Sequence, residues 1–153
     1  MSPEKQQSLI STFPKLYRET SPEYRSSMNS GLSIGDGWYE LVFQLSKDLE
    51  SAAKSEKLDP DTDQWPAATQ VKSKFGSLRF YCRTGNKKEQ NYVYESFGEV
   101  ISYRPFPTSS SLAELIIIAE SSSKSICEEC GKPGSMRATD WIKTLCEVCY
   151  SKN

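Results

Sequence analysis

The sequence contains no histidine. That absence removes Ser-His-Asp and Cys-His nucleophilic catalysis, imidazole acid–base work and histidine-ligated metal centres together. Long apolar runs are missing as well. The longest, Leu115 to Ala119, falls far short of the ~20 residues a membrane span requires. Nor does one sign of charge prevail: nineteen basic against twenty acidic residues leave a net charge of −1. With a pI near 5.6, this argues against a general nucleic-acid coat and against a strongly acidic DNA mimic. Met1-Ser2-Pro3-Glu4 is a polar opening without the charged-then-apolar form of a signal peptide, so a cytoplasmic location is expected. A chain of 153 residues, 37% hydrophobic and 25% charged, has room for one ordinary domain with a real core, or one domain plus a small appendage.

The five cysteines are Cys82, Cys127, Cys130, Cys146 and Cys149. In a reducing compartment a cluster of thiols reads as a ligand set rather than as disulfides. Cys127-Glu-Glu-Cys130 and Cys146-Glu-Val-Cys149 form a C-x2-C…C-x2-C pattern whose intervening length lies in the range of a four-thiolate structural Zn2+ site. Two residues between paired cysteines let both sulfurs reach one tetrahedral ion from a tight turn. Gly131 allows the backbone to fold under the metal, and Pro133-Gly134 makes a second turn. Thr144-Leu-Cys-Glu147 has the form of a capping box, predicting a short helix that carries Cys146 and Cys149 in its first turns. An iron centre and a redox C-x-x-C are the competing readings, and two disulfides would require export. Four bound thiolates leave no open position at which the ion could activate water, so the pattern points to structure and not to catalysis. Cys82 lies on an alternating apolar face and reads as a buried free thiol.

Along the chain, Ser2-Pro3 opens a helix that Pro14 must break. Residues 20–37 read as loop. Asp36 is the expected cap of a second helix, whose apolar stripe is Trp38, Leu41, Val42, Leu45, Leu49 and Ala52 and which runs to about Lys57. Asp59, Asp61 and Asp63 have the alternate spacing that opens a calcium loop, but Gln64 and Gln70 stand where Gly and Glu are needed, so the segment reads as a solvated acidic loop. Thr69 to Arg83 alternates as a β-hairpin, with Gly76-Ser77 suited to a two-residue II′ turn. Tyr92 to Arg104 reads as a further pair of strands around Gly98. Ser111-Leu-Ala-Glu114 is a second capping box, opening a helix from Leu112 to about Ser122. The expected fold is α+β: helices on a small antiparallel sheet over residues 1–110, then a helix and a zinc-ribbon- or treble-clef-like four-cysteine module over 111–153. Trp38, on the helix stripe, and Trp141, before the second cysteine pair, are both expected to be buried.

Charge is unevenly placed. Residues 69–90 carry Lys72, Lys74, Arg79, Arg83, Lys87 and Lys88 against Glu89 alone. In a II′ register Lys74 faces Arg79, Lys72 faces Tyr81 and Gln70 faces Arg83, all on one side. Like charges directly opposite cost stability, which calls for an offsetting partner. Either the chain's own acidic loop at Asp59–Asp63 covers the face, or Lys72, Lys74, Arg79, Tyr81 and Arg83 bind something anionic. One hairpin offers few phosphate contacts for tight nucleic-acid binding at physiological salt, so an acidic protein surface is the favoured partner, with weak nucleic-acid binding as the alternative. A hydrolase using carboxylates and Mg2+ ranks last, because no carboxylate pair has a motif spacing.

Several segments together resemble a family of small uncharacterised proteins of tailed phages and prophages. They are Gly35-Asp-Gly-Trp-Tyr-Glu-Leu41, Lys72-Ser-Lys-Phe-Gly-Ser-Leu-Arg-Phe-Tyr81, Ala119-Glu-Ser121, Cys127-x2-Cys130-Gly-x-Pro-Gly134 and Trp141-Ile-Lys-Thr-Leu-Cys-x2-Cys149. The similarity runs in patches from residue 31 to 150, and residues 85–110 stand as an insertion relative to shorter relatives. The resemblance implies a phage or mobile-element setting, where small accessory proteins bind and modulate host or defence machinery. It implies no established activity. The expectation is therefore a non-enzymatic zinc-containing binding protein in the bacterial host cytoplasm, a counter-defence or accessory factor acting on a host protein.

Overall fold

The computed structural model describes residues 1–24, 26–85, 91–97, 100–138 and 140–152; in the strands between 91 and 106 it describes the backbone and, of the side chains, Pro105 alone. The order is α1 (Pro3–Thr12), α2 (Tyr39–Ser55), β1 (Ala67–Lys74), β2 (Ser77–Arg83), β3 (Asn91–Phe97), β4 (Val100–Phe106), α3 (Ser110–Ser123), β5 (Ser135–Arg137), β6 (Lys143–Leu145) and α4 (Glu147–Tyr150). The fold is α+β, and the described residues form three antiparallel two-stranded ribbons, β1–β2, β3–β4 and β5–β6. Among the described residues no helix is long and apolar enough to cross a membrane.

α2 forms where the apolar stripe required it. Its Val42, Leu45 and Leu49 are buried, and Trp38 just before it is fully enclosed. Asp36 does not cap it. The carboxylate instead accepts a 2.6 Å hydrogen bond from the Ser2 N–H, tying the start of α1 to the loop, and that bond holds the Asp36 carboxyl below its usual range. The segment 36–38 is a tight 3-10 turn leading into the helix. The cap of α3 also lies two residues earlier than its sequence signature: Ser109, not Ser111, accepts from the Leu112 N–H.

One apolar cluster unites α1, α2, α3 and the inner face of β1–β2. It includes Leu9, Phe13, Leu16, Trp38, Val42, Leu45, Leu49, Val71, Leu78, Phe80, Cys82, Leu112 and Ile116. α3 thus packs into the main core ahead of the cysteine module. Both edges of the β1–β2 ribbon are covered, which removes a site for unwanted strand pairing. On the β1 side, the Ser33 N–H donates to the Val71 carbonyl and the Ser73 N–H to the Ser33 carbonyl, each at 2.9 Å. On the β2 side, side chains of α3 act as surrogate strand partners: Glu120 accepts from the Phe80 N–H and Ser123 Oγ from the Leu78 N–H, each at 2.9 Å. The Ala119-Glu-Ser121 patch thus contributes one strand-edge partner, Glu120.

The hairpin register differs from the II′ expectation. Its turn is Phe75-Gly76, with φ of +52° and +69°, the signature of a I′ turn. Lys72 therefore faces Arg79, Gln70 faces Tyr81 and Lys74 faces Ser77, with a bulge between Ala68 and Gln70 bringing Ala67 opposite Arg83. The second pair of strands forms as expected, with Phe97 opposite Val100; the polar segment 86–90 and the turn at 98–99 lie outside the described residues.

Candidate metal centre

The first cysteine pair sits on a knuckle. The Gly131 N–H donates to the Cys127 carbonyl at 2.9 Å and the Cys127 N–H to the Lys132 carbonyl at 2.8 Å. Gly131 makes this possible with φ +76°, the left-handed conformation that glycine adopts at no steric cost. The second pair lies where β6 passes into α4. Here the expected cap, Thr144, is replaced by the ligand itself: Cys146 is the N-cap, and its Sγ accepts from the Cys149 N–H at 3.4 Å. That N–H is the main reason the Cys146 thiol is lowered to about 7. Knuckle, hairpin and short helix together make a treble-clef-like module.

The four sulfurs of Cys127, Cys130, Cys146 and Cys149 all lie within 4.8 Å of one another, with Cys130 and Cys146 3.6 Å apart. Four thiolates about 2.3 Å from a tetrahedral ion stand about 3.8 Å from one another. The donor set and its spacing fit a four-thiolate metal centre. The fifth thiol, Cys82, is fully buried away from it, and burial pushes it up to about 12.

Residues far away in the chain grip this module. The Gly37 N–H donates to the Glu128 carbonyl at 2.9 Å, and Trp38 Nε1 donates to the Ile126 carbonyl at 2.7 Å. Ser73 Oγ donates to the Glu128 carboxylate at 2.8 Å, and Thr144 Oγ1 to the Gly76 carbonyl at 2.6 Å. Burial raises the Glu128 carboxyl above its usual range, with the Ser73 bond opposing that shift. Among the described residues the module's own apolar cluster is Cys127, Leu145 and Cys146 with Cys149 beside them, so docking supplies the packing it lacks. Sequence reading found the ligands but not this cradle. The signal was present as two glycines around Asp36, but nothing local names their partner.

The cradle yields a direct test. A Cβ on Gly37 would sit 2.2 Å from the Cys127 carbonyl oxygen, 2.4 Å from the Gly131 nitrogen and 2.7 Å from the Cys130 nitrogen. All three are backbone atoms of the knuckle and cannot step aside singly. Gly37→Ala should cost about 3 kcal/mol, the upper range for overpacking, and should speed metal loss to a chelator. Thermal unfolding and chelator competition read both effects, and an unchanged midpoint would show that the loop is not docked there.

Two further expectations about individual residues fail. Trp141 is 81% exposed: it lies in the β5–β6 loop, and the packing it was expected to provide comes from Leu145 and from the docked Gly35–Trp38 segment. Arg83 leaves the basic face. Its side chain is 3% exposed and its Nε donates to Glu19 at 2.8 Å, with Asp63 3.8 Å from Nη1. The bulge in β1 and the turn around Glu19 enclose it, and the acidic loop reaches it through Asp63. Lys72, Lys74, Arg79 and Tyr81 remain half-buried on the ribbon's outer side, with the Lys72 ammonium 4.9 Å from the Tyr81 ring centroid. No family model, curated protein or solved structure matches this chain.

Proposed function

We propose that the ion is zinc, that it is structural, and that the protein is a non-enzymatic binding protein of phage or prophage origin acting on a host protein. The observation that carries this reading is the four-sulfur cluster, whose spacing suits one tetrahedral ion. With every position taken by thiolate, the ion has no place for a water nucleophile, and the absence of histidine removes the commonest alternative acid–base group. Its task is to hold the module against the Gly35–Trp38 loop and the hairpin tip. The binding face is Lys72, Lys74, Arg79 and Tyr81. Three cations on one ribbon are few for tight phosphate binding at physiological salt, so an acidic protein surface is the partner they suit.

Elemental analysis should find about one zinc per chain, since four thiolates form one site. Lysate capture should then compare the unmodified chain with Lys72→Glu/Arg79→Glu. The double variant should keep its metal and its fold and lose a partner whose capture by the unmodified chain weakens with salt. Iron in place of zinc would overturn the metal assignment, and undiminished capture by the variant would move the binding surface off the ribbon. Lys72→Glu alone places opposite charges across the strand pair and should stabilise the protein by about 0.5 kcal/mol.

A further inference from the structure

The I′ turn at the hairpin tip places an aromatic residue where asparagine, aspartate or glycine is normally found. Phe75 holds φ +52°, a conformation that crowds Cβ against the backbone and is retained when the surroundings or the function require it. The same residue is exposed, at 40%. Its neighbour Gly76 lies against the module: a Cβ there would be 3.2 Å from the Lys143 carbonyl carbon. Phe75 and Ile142 are each one peptide unit from that contact, and Ile142 and Trp141 are 40% and 81% exposed. Exposed large apolar side chains are therefore carried by two separate hairpins whose backbones meet at Gly76 and Lys143. Cations flank the Phe75 side of this region. The Lys74 ammonium is 5.6 Å from the Phe75 ring centroid, and Lys72 and Arg79 follow along the ribbon while Lys143 lies at its tip beside Glu129, 3.4 Å away.

We propose that Phe75, Trp141 and Ile142 form the apolar anchor of the binding face, and that the face captures an acidic protein segment carrying large apolar side chains. This deepens the reading of the ribbon as a protein-binding surface and rests on it. Exposed aromatic and apolar groups beside the ribbon cations Lys72, Lys74 and Arg79 complement carboxylates and apolar side chains, and aromatic anchors of this kind carry most of an interface's energy. The arrangement also ties recognition to the metal, because the module that presents Trp141 and Ile142 holds its shape through the four thiolates.

The test uses the full metal-loaded chain and three fluorescent probes: a short peptide mixing Glu and Asp with Leu and Trp, its Gln/Asn counterpart, and an oligothymidine. The unmodified protein should bind the acidic peptide at least about tenfold more tightly than its amide counterpart. Phe75→Asn suits the positive φ, so it should keep metal content and thermal midpoint while weakening the acidic peptide about thirtyfold, the size of a hot-spot loss. Trp141→Ala should weaken it about tenfold. If binding depends on Lys72 and Arg79 but survives Phe75→Asn, the charged face stands and the anchor is overturned. If the unmodified protein binds only oligothymidine, or neither peptide in preference, the anchor and the protein-binding reading fall together.

Discussion

Replacing Cys130 or Cys146 by serine will release the metal and unfold the chain from about Ser125 onward while leaving the main core in place. Metal binding in such modules is folding free energy, on the order of 10 kcal/mol. Little else holds the module internally, because among the described residues its buried cluster consists of Leu145 and two of the cysteines themselves, with Cys149 packed against them. The main core has its own apolar cluster from α1, α2, α3 and the β1–β2 ribbon and does not need the metal. The loss will still reach it through four hydrogen bonds: those of Gly37 and Ser73 to Glu128, the Trp38 Nε1 bond to Ile126 and the Thr144 bond to Gly76. Near-ultraviolet circular dichroism and Trp fluorescence should change along with metal content. Thiolates are the ligands, so acid will release the ion as they protonate. Thiol titration gives an independent check: none of the five thiols should react in the metal-loaded native protein, since Cys82 is buried and raised to about 12, and all five should react after denaturation with a chelator. A C-terminal module that keeps its amide protection without metal would refute the assignment.

The second large effect lies at Glu19. This carboxylate and the Arg83 guanidinium are both nearly inaccessible, at 2% and 3% side-chain exposure. Taking one partner from a buried ion pair leaves the other charged and desolvated, a loss of about 3–5 kcal/mol. Glu19→Ala should lower stability by that amount, because Asp63 is largely exposed and 3.8 Å away, and the Gly85 carbonyl that Arg83 Nη1 also reaches is only a dipole. The double variant Glu19→Leu/Arg83→Met should recover most of the loss, since apolar groups of similar volume often replace a buried pair without penalty. Denaturant unfolding of the single and double variants measures both. A double variant no better than the single one would mean that the pair is not what the site requires.

How much of this molecule can be read from its sequence depends on the range of the interaction. The C-x2-C spacing names the metal ligands because each pair closes within its own turn, and Gly131 beside the first pair announces the backbone that the knuckle needs. The stripe from Trp38 to Leu49 names α2 and its buried face because helical periodicity is set by neighbours three and four apart. Alternation names the inner face of the hairpin, and with it the burial of Cys82. It does not choose the register. A turn at Gly76-Ser77 and one at Phe75-Gly76 both keep Val71, Leu78, Phe80 and Cys82 on one side, since moving the turn by one residue displaces the cross-strand partner by two.

The tertiary structure makes that choice at the tip, where Gly76 lies against Lys143 and Thr144 and its carbonyl accepts from Thr144 Oγ1. Other reversals have the same origin. Arg83 alternates with the basic face in sequence but is enclosed by Glu19, which lies 64 residues away. Asp36 precedes a helix as a cap should, yet its carboxylate is taken by the Ser2 N–H. Trp141 looks like the missing core of a small metal module, but that role falls to the loop at Gly35–Trp38, whose two glycines admit the knuckle's backbone. Local spacing determined the main helices, the hairpin over Thr69 to Arg83, their apolar faces and the metal ligands, because those arise among residues close in the chain. Register, the fate of the charged side chains and the docking of the module were decided only in three dimensions, where several locally equivalent choices compete for the same distant partner.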